Sequence, residues 1–353
     1  MLFEHPAHDG HEALVFACDP AAGLRAIIAI HDRSAGPACG GVRMWPFADE
    51  RAALTDVLRL SRGMTFKNVM AGLPLGGGKA VIVGDSARDK TPALLRAFGR
   101  AVEGLCGRYI AAEDVGMTVA DMAVIAEETA HVAGRGAAEG GGGDPSPLTA
   151  LGVFEGIRAA LRHARGSDDL SEARVAVQGL GHVGMALCRR LHEAGAALAV
   201  ADLDRNRLAE AQRAFGAMVV PPSEIHAVQA DVFAPCALGA GLNARTIPHL
   251  RARIVAGSAN NQLAVPEDGR RLAERGILYA PDYVINAGGI INVAAEIGGA
   301  YDPAAVERQV RAIGATLSEI FASAAGDDTA AVADRLAQAR LDALRGGSES
   351  LCA

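Results

Sequence analysis

Two lysines, Lys67 and Lys79, stand in a stretch from Arg62 to Val83 that reads RGMTFKNVMAGLPLGGGKAVIV, apolar and glycine-rich surroundings where solvated ammonium groups are not expected. Two such cations aimed at one pocket suit an amino-acid substrate. One pairs with the carboxylate and the other works as a base, provided burial and a neighbouring cation lower its pKa toward roughly 7 to 8. Composition alone leaves the alternative of two ordinary surface lysines open. The glycines before Lys79 do not form a phosphate-binding P-loop, because G-x-x-x-x-G-K-[ST] requires Gly where Leu73 stands and a hydroxyl residue where Ala80 stands. They are expected to let backbone lie close to a substrate or a facing element. A carboxylate, Asp114 in AEDVG, follows the candidate strand from Tyr109 to Ala112, at the end where α/β folds place ligands, with Glu113 as its rival.

A second chemistry is written in Gly179-Leu180-Gly181-His182-Val183-Gly184, a G-x-G-x-x-G. With 42 glycines in the chain the bare pattern means little, so the context decides. It follows a candidate strand, Arg174 to Gln178, and opens a helix, Val183 to Glu193. The next strand, Ala197 to Ala201, leads into Asp202, 18 residues beyond Gly184. These are the requirements of a dinucleotide site: Gly179 for the tight turn, Gly181 for backbone approach to the pyrophosphate, Gly184 for helix–strand packing, and free N–H groups at the helix start. Asp202 would accept from the ribose hydroxyls and repel a 2′-phosphate, which selects NAD, although Arg205 and Arg207 leave some NADP use open. Asn260 in GSANN and Asn286 in NAGG follow apolar strands and offer amides to nicotinamide or substrate, though Asn beside Gly also reads as a plain turn.

The elements that must hold these groups read as α/β throughout. In the N-terminal part, strands are expected at Ala13 to Ala17, Leu24 to Ile30, Ala80 to Val83 and Tyr109 to Ala112. Helices are expected from Asp49 to Met64 and from Pro92 to Leu105, the latter in a β-α-β crossover. A glycine run, Gly140 to Gly143, followed by Asp144-Pro145-Ser146-Pro147, marks a domain junction. Beyond it, strands and helices alternate through Arg205 to Phe215, Ala230 to Ala234, Arg253 to Ala256 and Gly276 to Ala280, the pattern of a doubly wound parallel sheet. At least two helices are expected between Pro303 and Arg345, the last packing back on the first domain. The domains are therefore placed at 1–138, completed by a helix at 328–353, and at 144–327.

The whole chain narrows the partners. A length of 353 residues suits two domains, and a formal charge of −7 provides no positive field for nucleic acid or an anionic membrane. No basic n-region precedes an apolar stretch at the N-terminus. The longest apolar run, Val284 to Ala295, is broken by Asn286 and Asn292, so the chain is expected in the cytoplasm. Six cysteines without a C-x-x-C pair or a His cluster point to free thiols and no metal.

Matched in order along nearly its whole length, the chain resembles the Glu/Leu/Phe/Val dehydrogenase family. The matching motifs are IIAIHDRSAGPACGGVRMW, MTFKN, PLGGGKAVIVGD, AEDVGMTVADM, QGLGHVG, DVFAPCALG, GSANNQ and APDYVINAGGIINVA. The resemblance implies an N-terminal substrate and oligomerisation domain, a C-terminal Rossmann domain, an active site in the cleft between them and a homo-oligomer. It implies that Lys79 activates the water attacking an imino acid, that Lys67 binds the substrate carboxylate and that Asp114 transfers a proton at the substrate nitrogen. Gly40, Gly41, Met64, Asn260, Ile290 and Val293 would line the substrate pocket. The Gly179–Gly184 loop, Asp202, Cys236, Ala237, Asn260 and Asn286 would hold NAD. The implied reaction turns an apolar amino acid into its 2-oxo acid and ammonia. The motifs most resemble the leucine and valine members, with leucine expected first and valine next. Two departures matter. Cys39 replaces an apolar residue, and Ile290 stands where the leucine members have Val; the extra methylene shifts discrimination by roughly 1 to 3 kcal/mol toward smaller substrates.

Other functions remain to be weighed: a phenylalanine dehydrogenase, an NAD-dependent hydroxy-acid dehydrogenase, or a non-catalytic NAD-binding regulator. The hydroxy-acid reaction normally uses a histidine base, and none of the ten histidines lies in the apolar glycine-rich stretches; His182 reads as a solvent-facing helix residue. A regulator has no need of Lys67, Lys79 and Asp114 together.

Overall fold

The computed structural model describes residues 2–134, 142–237, 239–299 and 301–349, so Gly140, Gly141 and Cys352 lie outside the described residues. The chain divides into two compact units. One comprises residues 1–143, 293–301 and 337–353, the other residues 144–292 and 302–336. The sequence expectation ran the second domain unbroken through 144–327, whereas contacts group 293–301 with the first unit.

The first unit is built on β1 (Ala13–Asp19), β2 (Leu24–Asp32), β3 (Ala38–Trp45), β4 (Gly76–Val83) and β5 (Tyr109–Glu113), with α1 (Glu50–Met70), α2 (Pro92–Glu103) and α3 (Val119–Ala126). The strands lie in the order β1-β2-β4-β3-β5. β2 runs antiparallel to β1 and β4, while β3 runs parallel to β4 and β5. Strand alternation sorts side chains by face. Ile27, Ala29 and Val81 pack with Ala53, Val57 and Leu58 of α1. Ile28, Val42, Met44, Ala80 and Ile82 pack with Leu94 and Phe98 of α2 and with Met122 and Ile125 of α3. Gly41, Arg43 and Lys79 therefore fall on the α1 face.

Three expectations change here. β3 was not foreseen, because ACGGVRMW carries two glycines where strands favour β-branched and aromatic residues. The β4–α2–β5 crossover consequently spans β3. β4 begins at Gly76 rather than Ala80, so all three glycines are strand residues. α1 starts as expected, with the Asp49 carboxylate accepting from the Ala52 N–H at 2.7 Å, but it continues past Met64 because Phe66, Val69 and Met70 extend its buried stripe. Lys67 thus sits on a helix, which ends at Ala71 before Gly72 turns the chain at φ +65°.

The second unit opens with α4 (Ser146–Arg165), also unforeseen beside the glycine run. It continues through β6 (Arg174–Gln178), α5 (His182–Glu193), β7 (Ala197–Ala201), α6 (Arg205–Phe215), β8 (Met218–Val219), β9 (Val232–Pro235), β10 (Ile254–Val255), α7 (Glu267–Glu274) and β11 (Leu278–Tyr279). Then follow α8 (Asp282–Ile285), α9 (Gly288–Ile297), which groups with the first unit from Val293 on, α10 (Pro303–Arg311), α11 (Ile313–Ala324) and α12 (Thr329–Glu349), which groups with the first unit from Ala337 on. Its six strands lie in the order β11-β10-β9-β6-β7-β8, and every pairing is parallel. This is the doubly wound order, which reverses direction between β6 and β9. No helix among the described residues is long and apolar enough to cross a membrane.

One buried polar link has a measurable consequence. On β2, His31 is 3% exposed, with Nδ1 2.8 Å from Thr65 Oγ1 and Nε2 3.0 Å from the Asp9 carbonyl oxygen. Neutral imidazole satisfies both contacts if Nε2 donates to Asp9 and the threonine hydroxyl donates to Nδ1. Burial, aided by the neighbouring His11 and Arg62, lowers its pKa from 6.5 to about 4, against the pull of Asp9 and Asp32. The unfolded chain therefore binds the extra proton between those values, so His31 stabilises the fold fully above pH 6.5 and this contribution fades as pH falls toward 4. Denaturant unfolding at fixed protein concentration is expected to show about 2 kcal/mol more loss from pH 7 to 5 in the wild type than in His31→Gln. Equal slopes would refute it.

Candidate active site

The lysine and the carboxylate singled out by sequence meet in the first unit. Lys79 Nζ lies 2.8 Å from Asp114 Oδ2. Lys79 is 5% exposed, on β4 between β2 and β3. Asp114 follows β5, whereas its rival Glu113 is exposed. A second cation, Arg43 on β3, donates from Nε to the same Oδ2 at 3.1 Å and from a terminal nitrogen to Asp56 Oδ2 of α1 at 2.9 Å. Burial alone would raise the Asp114 pKa. The Lys79 ammonium and the Arg43 guanidinium, with the Val115 N–H, outweigh burial and hold it below the usual carboxylate value.

Glycine is what allows this pair to form. A Cβ on Gly41 would stand 2.6 Å from Asp114 Cβ and 3.1 Å from Lys79 Nζ. On Gly77 it would stand 2.0 Å from Thr65 Oγ1, so the glycines of GGGK serve the facing helix as much as any ligand. Met64 lies against Gly40, its Cγ 3.2 Å from where a Cβ there would be. Lys67 is half-buried one turn along the same side of α1. Two supports escaped the sequence reading. The buried Tyr109 hydroxyl donates to the Gly40 carbonyl at 2.7 Å, and Asn68 donates its amide to the Gly76 carbonyl at 2.7 Å, tying the helix of Lys67 to the strand of Lys79. Cys39 is fully buried; desolvation, only partly opposed by Lys79, pushes its thiol up to about 12, so it acts as a neutral apolar group.

The nucleotide motif folds as a cradle at the point where the second sheet reverses. Gly179 turns the chain after β6 at φ +97°, and a Cβ there would stand 2.8 Å from the Ala237 nitrogen and 2.9 Å from the Cys236 carbonyl. A Cβ on Gly184 would stand 2.0 Å from the Gly179 oxygen, whereas one on Gly181 would meet nothing within 4 Å. Gly181 caps α5 without a side-chain hydrogen bond, leaving the amides of exposed His182 and half-buried Val183 to a ligand. Asp202 accepts from the Leu180 N–H at 2.5 Å and from the Asp204 N–H at 2.8 Å. Burial opposes ionisation there, but these backbone bonds and Arg207 prevail and lower its pKa. Asp202 therefore shapes the loop.

In the same unit, Asn286 donates its amide to the Ser258 carbonyl at 3.1 Å and to Asn260 Oδ1 at 2.7 Å. Its own Oδ1 is buried without a partner, an acceptor suited to a carboxamide N–H. The cradle and this orphaned oxygen fit a nicotinamide dinucleotide. Ile290 is 9% exposed on α9, in the second unit, while half-buried Val293 groups with the first, so the two proposed pocket residues belong to different units. The five cysteines within the described residues are unpaired.

Comparison with known proteins finds matches along the chain. A family model described as Glu/Leu/Phe/Val dehydrogenase, dimerisation domain, matches residues 11–131. A second, described as Glutamate/Leucine/Phenylalanine/Valine dehydrogenase, matches residues 140–206 and 198–340. The chain is 51% identical over 346 residues to leucine dehydrogenase of Geobacillus stearothermophilus, covering 98% of this chain and 94% of that one. It is 46% identical to valine dehydrogenase of Streptomyces albus, covering 96% and 94%. The crystal structure of L-tryptophan dehydrogenase from Nostoc punctiforme superposes with a TM-score of 0.84 at 47% identity, covering 95% of this chain and 97% of that chain.

Proposed function

The chain belongs to the Glu/Leu/Phe/Val dehydrogenase family and is an amino-acid dehydrogenase; we propose that it deaminates branched-chain L-amino acids, leucine first and valine next, with NAD as the oxidant. The observation that carries the chemistry is the buried Lys79–Asp114 contact at 2.8 Å, next to the Gly40–Gly41 wall. The preference for leucine is supported by the relatives named above. Ile290, proposed as a pocket residue, draws valine into competition. The dimerisation domain matched at residues 11–131 supports a homo-oligomer, and the unpaired thiols support a cytoplasmic location. The domain division proposed is a substrate domain containing Lys67, Lys79 and Asp114 and a nucleotide domain containing Gly179–Gly184.

Lys67 pairs with the substrate carboxylate and fixes the α-carbon. When bound, NAD supplies a hydride acceptor, held by the α5 amides, Asp202 and Asn286, with Cys236 and Ala237 closing the turn and Asn260 fixing the Asn286 amide. Oxidation leaves an imino acid. Lys79, in its amine form, takes a proton from the water that adds to the imino carbon. Lys79 passes that proton through Asp114 to the nitrogen and, neutral again, takes the hydroxyl proton as the C–N bond breaks, giving ammonia and the 2-oxo acid. Amino acid, NAD and water thus yield oxo acid, ammonia, NADH and a proton.

NADH formation at alkaline pH with leucine, valine, isoleucine, 2-aminobutyrate, phenylalanine and glutamate tests the proposal, with NADP as an alternative oxidant. Turnover on leucine and valine with NAD is expected. Asp202→Ala should raise the KM for NAD about 10- to 100-fold, the loss of charge-assisted hydrogen bonds, while narrowing the gap to NADP. Cofactor binding without turnover on any of the six would refute the enzyme reading.

A further inference from the structure

The geometry assigns Arg43 as a positioning residue for the deamination: anchored by Asp56, it holds Asp114 Oδ2 in place and shares that carboxylate's charge with Lys79. The assignment rests on the deamination reading above, in which Lys79 must release its proton to act.

The argument starts from one oxygen. Asp114 Oδ2 takes Lys79 Nζ at 2.8 Å and Arg43 Nε at 3.1 Å. An isolated Lys79–Asp114 contact would be a one-to-one ion pair, and a carboxylate facing a lone ammonium favours the ammonium form. With a second cation on the same oxygen, the carboxylate is divided between two partners. Arginine keeps its charge throughout catalysis, so Asp114 retains a cationic neighbour when Lys79 becomes neutral. The guanidinium fork also fixes direction: Nε serves Asp114 of the loop after β5, while a terminal nitrogen serves Asp56 on α1 at 2.9 Å. The chain Asp56–Arg43–Asp114–Lys79 therefore alternates in sign and is neutral as a whole. Its four side chains are 29%, 21%, 21% and 7% exposed, so solvent screening weakens toward the lysine.

The test compares wild type, Arg43→Gln, Arg43→Lys and Asp56→Asn by leucine deamination across pH, and follows the Asp114 carboxyl by infrared titration without substrate, with Asp114→Asn identifying its band. Arg43→Gln is expected to move the rising limb of kcat/KM by about one pH unit to the alkaline side, the effect of removing one adjacent charge. Arg43→Lys should restore the limb, and Asp56→Asn, which removes an anion instead, should move it the other way. In the infrared, Asp114 should protonate at higher pH in Arg43→Gln than in the wild type. A limb that stays in place while kcat falls in the glutamine and lysine variants alike would mean that Arg43 only braces the fold, and would overturn the assignment. Should the wild type form no NADH with any amino acid, the deamination reading fails by itself; the infrared titration then decides the Arg43 assignment, and an unmoved Asp114 overturns it.

Discussion

Lys79→Met is expected to lower kcat for leucine deamination by roughly a hundred- to ten-thousand-fold, the range of a positioned general acid–base group, with NAD binding unchanged. Methionine keeps the unbranched stem that β4 buries but has no proton to exchange. The fold should tolerate it, since Asp114 keeps Arg43 at 3.1 Å and is not left as an unpaired buried charge. The proposed cofactor cradle, Gly179–Gly184 with Asp202, belongs to the other unit. Fluorescence titration with NADH should therefore give a dissociation constant like that of the wild type while turnover collapses. Addition of small alkylamines to Lys79→Ala supplies a sharper check. Partial recovery of rate that rises with amine concentration would identify the missing group as a base, and retention of a tenth or more of wild-type kcat in the methionine variant would remove Lys79 from the chemistry.

The part of this molecule legible in its sequence is the part encoded locally. The β6–α5–β7 unit with its Gly179–Gly184 turn was readable because strand, glycine loop, helix and acidic residue follow one another within about thirty residues, as a βαβ unit demands. Its strands are short apolar runs bounded by turns, and α6 was expected over the residues it occupies, Arg205 to Phe215. Lys79 and Asp114 were readable as residue types, but their contact joins β4 to the end of β5, and only coordinates separate Asp114 from exposed Glu113. What stayed hidden depends on side chains far apart in sequence. Arg43 and Asp114 are 71 positions apart, and Tyr109 reaches the Gly40 carbonyl across 69. β3 itself was missed because the glycines that make room for the site weaken every local sign of a strand. The same substitution of function for propensity hid the last turns of α1, where Gly63 and Thr65 dilute the stripe just before Lys67.

Gly41→Ala is expected to cost kcat about a hundred-fold or more while leaving the molecule folded, because a misplacement of about 1 Å at the reacting groups is enough for a loss of that size. Among the glycines of this unit the position separates catalysis from stability. At Gly40 a Cβ would meet the Gly78 carbonyl oxygen at 1.8 Å, a backbone atom that cannot move without shifting β4, so alanine there should destabilise the sheet. At Gly41 the nearest neighbour is instead a side-chain atom, Asp114 Cβ at 2.6 Å, followed by the Glu113 oxygen at 3.0 Å and Lys79 Nζ at 3.1 Å. Asp114 Cβ moves only with its own backbone, so relief shifts the loop after β5 rather than a paired strand, and carries with it the carboxylate whose 2.8 Å contact with Lys79 serves the proposed proton transfers. The backbone at Gly41 does not lie in the left-handed region, so alanine adds no conformational strain of its own. The expected pattern is a large fall in kcat for Gly41→Ala with a thermal midpoint near that of the wild type, and a lowered midpoint for Gly40→Ala. If Gly41→Ala retained wild-type kcat, the methyl group would have found room without moving the pair, and the Lys79–Asp114 spacing would no longer be what sets the rate.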